Sequence, residues 1–173
     1  GGGGWGGVGG GSGISCVRPC GGAAAVGRGV CMAVSARGPD VHFITYQQPF
    51  RLPVFLPRVH FHEVDVVRYP LFQYPPYDLA LAVRMHEVVI KERLDLLHVH
   101  YAIPHATSAW IAKEMLLKEA RAIKVITTFH GTGTTIVGQE PSFHAITQFS
   151  IEKSNRHPTL PDFLKDSTHR SFV

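Results

Sequence analysis

The chain is 173 residues long, 45% hydrophobic and 17% charged, with a formal net charge of +4. That is enough for one domain with a real core, and the basic residues are scattered among acidic ones, which argues against a nucleic-acid-binding stripe and suits anionic ligands only mildly. No apolar run reaches the ~18 residues of a membrane span, and no basic segment leads into an apolar signal core, so a cytoplasmic protein is expected.

Residues 1–38 hold no Asp or Glu, most of the glycine and all three cysteines. A stretch such as "GGGGWGGVGGGSGISC" has too little apolar surface to offset its backbone entropy, and disorder is expected over residues 1–38. Cys16 and Cys20 stand at C-x3-C spacing, but no second ligand pair follows at zinc-site spacing. Three cysteines are also an odd number for a disulfide scaffold, so these read as incidental thiols.

From Asp40 onward the pattern is that of an ordered domain. "VHFITY" (41–46) reads as a strand, and "QQPFRLPVFLPR" as a loop, because Pro49, Pro53 and Pro57 forbid regular structure. "VHFHEVDVV" (59–67) alternates as a strand, with His60 and His62 on one face, read as structural. The turn-rich "RYPLFQYPPYD" leads into a helix over 77–93, whose apolar stripe is Leu81, Met85, Val88 and Val89. "LDLLHVH" (94–100) is an almost continuous apolar run, as in a strand covered on both faces. Pro104 opens a helix running to about Glu119. "IKVITTFH" (123–130) is another buried strand, "GTGTTIVGQEP" a Gly-rich loop, and 142–154 a third helix. Strands alternating with helices predict a right-handed, parallel α/β sheet.

In an open parallel sheet, ligands collect beyond the carboxyl ends of the strands. That selects "HVHYAIPH" and "TTFHGTGTT", and adjacent strand ends would bring His100 and Tyr101 near Thr128 and His130. Gly131 and Gly133 permit close backbone approach, and Thr132, Thr134 and Thr135 supply hydroxyls, which suits sugar hydroxyls or phosphate oxygens. No Lys-Ser/Thr follows as a P-loop requires. His98 and His100 share a strand face and His105 follows closely, so a metal site is one reading. A hydrogen-bonded interior His98 beside cleft-lining neighbours is the other.

Five stretches carry a resemblance: "HFITYQQPFRL", "FHEVDVVRYPLFQYPPYDLALA", "LDLLHVHYAIPHATSA", "IKVITTFHGTG", and "QEPSF" followed by "FSIEKS". In this order, over about residues 36–154, they resemble the family-4 retaining glycosyltransferases, in particular the branch serving bacillithiol synthesis. The resemblance implies the N-terminal half of a GT-B fold. Residues 39–173 would form its Rossmann-like, acceptor-side domain, with the C-terminal donor-binding domain absent from these residues. It implies transfer of N-acetylglucosamine from UDP-N-acetylglucosamine to L-malate, with no metal and no cofactor beyond the donor. By motif match, His130 takes the place of the active-site histidine beside the donor sugar, and Tyr101 and Thr128 fall at acceptor positions, with Gly131 and Thr132 in the same loop. "GGSG" (10–13) resembles the family's Gly-rich loop, in which Gly11 and Ser12 would offer backbone amides to a carboxylate or phosphate.

The sequence also departs from that pattern. Gly133 stands where the family has Asp, and Gln148 where an Arg is expected. "ISCVRPCGGAAAVGRGVCMAVS" and "NRHPTLP" lack family likeness, as out-of-frame translation would produce. A fragment with little transferase activity alone is the expectation. The alternatives are a non-enzymatic sugar- or dicarboxylate-binding remnant of the same fold, and a His-rich metal-binding protein.

Overall fold

The computed structural model describes residues 11–15, 29, 32–46, 57–67, 70–130 and 140–154. Five parallel strands form one sheet: β1 (Gly11–Ser15), β2 (Val41–Thr45), β3 (Val59–Glu63), β4 (Leu94–His100) and β5 (Lys124–Thr128), in the order β3-β2-β1-β4-β5. Helix α1 (Tyr77–Glu92) connects β3 to β4, α2 (Thr107–Lys118) connects β4 to β5, and α3 (Pro141–Lys153) follows β5. The parallel α/β sheet expected from the alternation of elements is the one observed.

One expectation is corrected at the centre of the sheet. Part of the segment expected to be disordered, Gly11–Ser15, is the middle strand, pairing with β2 on one side and β4 on the other. Residues 32–35 are helical. Composition misled here because a strand enclosed on both edges is held through its backbone amides and carbonyls, which glycine supplies as well as valine does.

The largest apolar cluster among the described residues lies on one face of the sheet, while Val41 and Phe43 are buried on the other. In that cluster Ile44, Leu97, Val99 and Val125 pack against Leu81, Met85, Val88 and Val89 of α1 and Ala109, Ala112 and Leu116 of α2. The stripe read from the sequence is the buried one, and the small Ala109 and Ala112 let α2 lie close to its neighbours. Helix α1 stops at Arg93, whose left-handed φ of 53° turns the chain straight into β4. The helix expected to open at Pro104 instead begins regularly at Thr107. Ala102–Ala106 forms an irregular turn first, with Ile103 extended and the Ile103–Pro104 peptide cis. The buried Ser108 hydroxyl fixes this turn, lying 2.8 Å from the Asp78 carbonyl at the start of α1 and 2.9 Å from that of Pro104.

Leu97 is fully buried at the middle of this core face. Leu97→Ala should therefore destabilise the chain by about 2–5 kcal/mol, through lost transfer energy and a cavity the neighbouring strands cannot close. Urea unfolding of the two proteins measures this directly.

Candidate active site at the carboxyl edge of the sheet

The strand order reverses between β1 and β4, so the crevice of this sheet opens beyond the carboxyl end of β4. His98 and His100 alternate with Leu97 and Val99 and so face away from α1 and α2. The β4–β5 register pairs His98 with Ile126 and His100 with Thr128. The Tyr101 amide donates to the Thr128 carbonyl at 3.0 Å, extending the ladder one residue past the strand.

On this scaffold the side chains meet in two pairs. His98 Nε2 and Thr128 Oγ1 share a hydrogen bond of 2.7 Å, and His100 Nδ1 and His130 Nε2 share one of 3.0 Å. The rings stack in sequence, with centroids 4.9 Å apart for His98 and His100 and 5.2 Å for His100 and His130. Tyr101 lies 4.6 Å from the His130 ring. His105 is buried beside Tyr101 and Tyr77, at 6.4 and 6.2 Å. The neighbourhood of His100, Tyr101, Thr128 and His130 drawn from the sequence is thus the observed one.

Burial sets the protonation of the cluster. Desolvation lowers the His98 and His130 pKa values, with the His130 charge adding to the effect on His98. His100 is lowered to about 3, first by burial and then by His98, His130 and His105, and burial alone lowers His105 to about 3. All four rings are accordingly neutral at pH 7. His100 Nε2 is buried without a hydrogen-bond partner among the described residues. Placing the single proton of His100 on Nδ1 leaves that atom a bare lone pair rather than a stranded N–H. His130 Nε2 then accepts, and the His130 proton sits on Nδ1, making His130 a neutral donor at the cleft.

Tyr101 has φ 74° and ψ 146°, close to a region essentially reserved for glycine. A tyrosine here costs about 1–3 kcal/mol of backbone strain, held in place by the ladder bond to Thr128 and the turn that follows. Nothing in the sequence announces this conformation. The contribution of Tyr77, whose ring reaches the cluster through His105 and meets Tyr46 at 5.5 Å, was equally hidden in a turn-rich stretch.

Not every expected site residue joins the cluster. Gly11 and Ser12 lie within β1 rather than in a loop, Ser12 paired with both β2 and β4 and Gly11 with β4 alone. Gly131 and Thr132 lie outside the described residues. The set His98, His100 and His105 does not converge as metal ligands. Among the described residues the three groups that do are His42, His62 and Glu92. A groove of about 770 Å³ between β3 and α1, lined by Glu63, Asp65 and Arg84 among others, lies apart from the histidine cluster. It has no titratable pair of comparable burial among the described residues, so the histidine cluster is the candidate site.

Residues 20–158 match the profile of Glycosyltransferase Family 4. The chain belongs to glycosyltransferase family 4. Within the family it is similar to N-acetyl-alpha-D-glucosaminyl L-malate synthase of Bacillus anthracis, 46% identical over 157 residues. That alignment takes in 91% of this chain and 40% of the relative, so the chain spans well under half the length of the curated relative it matches. Two solved structures share the fold. Sucrose-phosphate synthase from Thermosynechococcus elongatus superposes with a TM-score of 0.65 at 14% identity, over 94% of this chain and 45% of that one. UDP-N-acetylglucosamine 2-epimerase from Rickettsia bellii does so with 0.58 at 15% identity, over 92% and 40%. A Rossmann-like sheet matching roughly half of each longer chain agrees with one half of a GT-B fold.

Because His100 and His105 are neutral when folded but titrate near 6.5 when unfolded, the unfolded chain binds more protons between pH 6.5 and about 3. Stability is complete above pH 6.5 and falls as the pH drops toward 3, by up to about 2 kcal/mol per residue between pH 7 and 5. Carboxylates contribute little in that interval, so urea midpoints at pH 7 and pH 5 isolate the histidines. Equal midpoints would contradict the buried, neutral pair.

The strain at Tyr101 has its own signature. Tyr101→Gly should be more stable than Tyr101→Ala by about 1 kcal/mol or more, reversing the usual order of these residues beside a strand. Thermal unfolding of the two variants decides it.

Proposed function

We propose that this chain is the acceptor-side domain of a retaining transferase moving N-acetylglucosamine from UDP-N-acetylglucosamine to L-malate, the first step of bacillithiol synthesis. The observation that carries this reading is the 46% identity to N-acetyl-alpha-D-glucosaminyl L-malate synthase across 91% of the chain, which includes the strand ends holding Tyr101, Thr128 and His130. Small-molecule substrates, a cytoplasmic location and no requirement for a metal belong to the same reading. No helix among the described residues is long and apolar enough to cross a membrane.

The chemistry of the cluster supports it. L-Malate carries two carboxylates and a hydroxyl nucleophile, so its site needs hydrogen-bond donors rather than a protein nucleophile. When His98 Nε2 donates to Thr128 Oγ1, the threonine O–H is free to donate to a carboxylate, and the Tyr101 hydroxyl can do the same. In the transfer, the malate hydroxyl attacks the anomeric carbon from the face that UDP leaves, its proton passing to the departing UDP phosphate oxygen as that bond breaks, and positive charge develops on the sugar ring. A neutral His130 beside the donor sugar can hold a sugar hydroxyl through Nδ1–H without adding a like charge to the forming cation. Positioning of the two reactants would supply most of the acceleration. Gly131 and Thr132, next along the chain, would complete the contact with the sugar or its phosphate.

Calorimetry of the 173-residue chain tests the acceptor half of this reading. L-Malate should bind, and Thr128→Val should weaken it about tenfold, the effect of losing one hydrogen bond to a charged group. The absence of malate binding to the folded chain would overturn the assignment.

A further inference from the structure

We infer that His42, His62 and Glu92 form a binding site for a divalent transition-metal ion of the zinc, cobalt or nickel type, on the opposite face of the sheet from the histidine cluster. The inference is independent of the transferase reading. His42 shares the face of β2 with Ile44, which belongs to the core under α1. The β2–β3 register sets His62 beside Ile44, on that same face. Glu92 is the last residue of α1. Three elements thus deliver one imidazole nitrogen each from His42 and His62 and one carboxylate oxygen from Glu92, all within 4.8 Å of one another.

The donor set and spacing suit such an ion. Two imidazoles and a carboxylate match borderline ions, leaving further positions for water. Tetrahedral ligands at zinc distances stand ~3.3 Å apart. His42 Nδ1 and His62 Nε2 are at 2.9 Å, so they need open by only a few tenths of an ångström, while the carboxylate moves inward. The hydrogen bond between the rings accounts for the two histidines alone but not for the carboxylate beside them, whose charge acts on both rings. Burial, His42 and Arg84 hold His62 at about 4, and burial and His60 lower His42, so both rings offer lone pairs at neutral pH. His60 stacks on His42 at 4.6 Å and lies 3.6 Å from Asp40, so the His42 ring is packed on one face by its neighbour in β3. Lys91 pairs with one Glu92 oxygen at 3.5 Å, and no partner is recorded for the other among the described residues. A groove of about 440 Å³ lined by His62, Arg84, His86, Lys91 and Glu119 opens beside the site as an entry path. The ion would clip β3 and β2 to the end of α1.

Cobalt(II) titrated into the metal-free 173-residue chain is the test. Uptake of one equivalent with visible d–d bands and no thiolate charge-transfer band is expected, which separates this site from Cys16, Cys20 and Cys31. His62→Gln and Glu92→Gln should each weaken binding at least about tenfold while keeping the parent's far-ultraviolet circular dichroism. His144→Gln, on α3, should bind as the parent does. No cobalt uptake, a thiolate band, or parent-like binding by both ligand variants would each overturn the site.

Discussion

The carboxyl edge of this sheet depends on the register between β4 and β5. Setting His100 opposite Thr128 continues one residue further as the bond from the Tyr101 amide to the Thr128 carbonyl, and from that bond the rest of the cluster follows. His98 reaches the Thr128 hydroxyl, His100 reaches His130, and Tyr101 is left facing the His130 ring. Because side chains alternate along a strand, a slip of one residue would send His98 and His100 into the apolar core and Leu97 and Val99 into the cleft. The burial of Leu97, Val99 and Val125 against α1 and α2 therefore holds the side chains of the candidate site in place from the opposite face.

That dependence explains why the cluster tolerates an expensive environment. Buried imidazoles deprived of water lose their charge, and a bent, glycine-like backbone at Tyr101 stores strain. Both costs are local and both are offset by the core beneath. The result is a set of neutral, preoriented hydrogen-bonding groups at the switch point of the sheet, suited to polyhydroxylated and anionic ligands. Family 4 membership and the similarity to N-acetyl-alpha-D-glucosaminyl L-malate synthase give this arrangement its context.

The two histidine groups show how one residue type serves different ends on the two faces of a sheet. On the face away from α1 and α2, His98, His100 and His130 run in a stack whose partners are hydroxyls and other rings. On the α1 face, His42 and His62 meet a carboxylate. His60 and His62 of β3 repeat the i, i+2 spacing of His98 and His100, but the partner that joins His62 is His42 of the neighbouring strand, so spacing alone did not distinguish the two groups. What differs is the neighbouring element, a threonine strand end in one case and the acidic terminus of a helix in the other.

Periodicity by itself determined the parallel α/β architecture, the apolar stripe of α1, and the placement of His100, Tyr101, Thr128 and His130 at adjoining strand ends. These rest on patterns of two and 3.6 residues that hydrophobic burial enforces locally, and on the rule that ligands gather at strand carboxyl ends. The long motifs determined the family. Only the tertiary structure decided that Gly11–Ser15 is the central strand, because pairing on both edges acts through backbone atoms that composition does not reveal. It alone decided the delayed start of α2, the strained Tyr101, and the meeting of His42 and His62 with Glu92. Each of these is fixed by contacts between segments far apart in the chain, about which local residue preference carries no information.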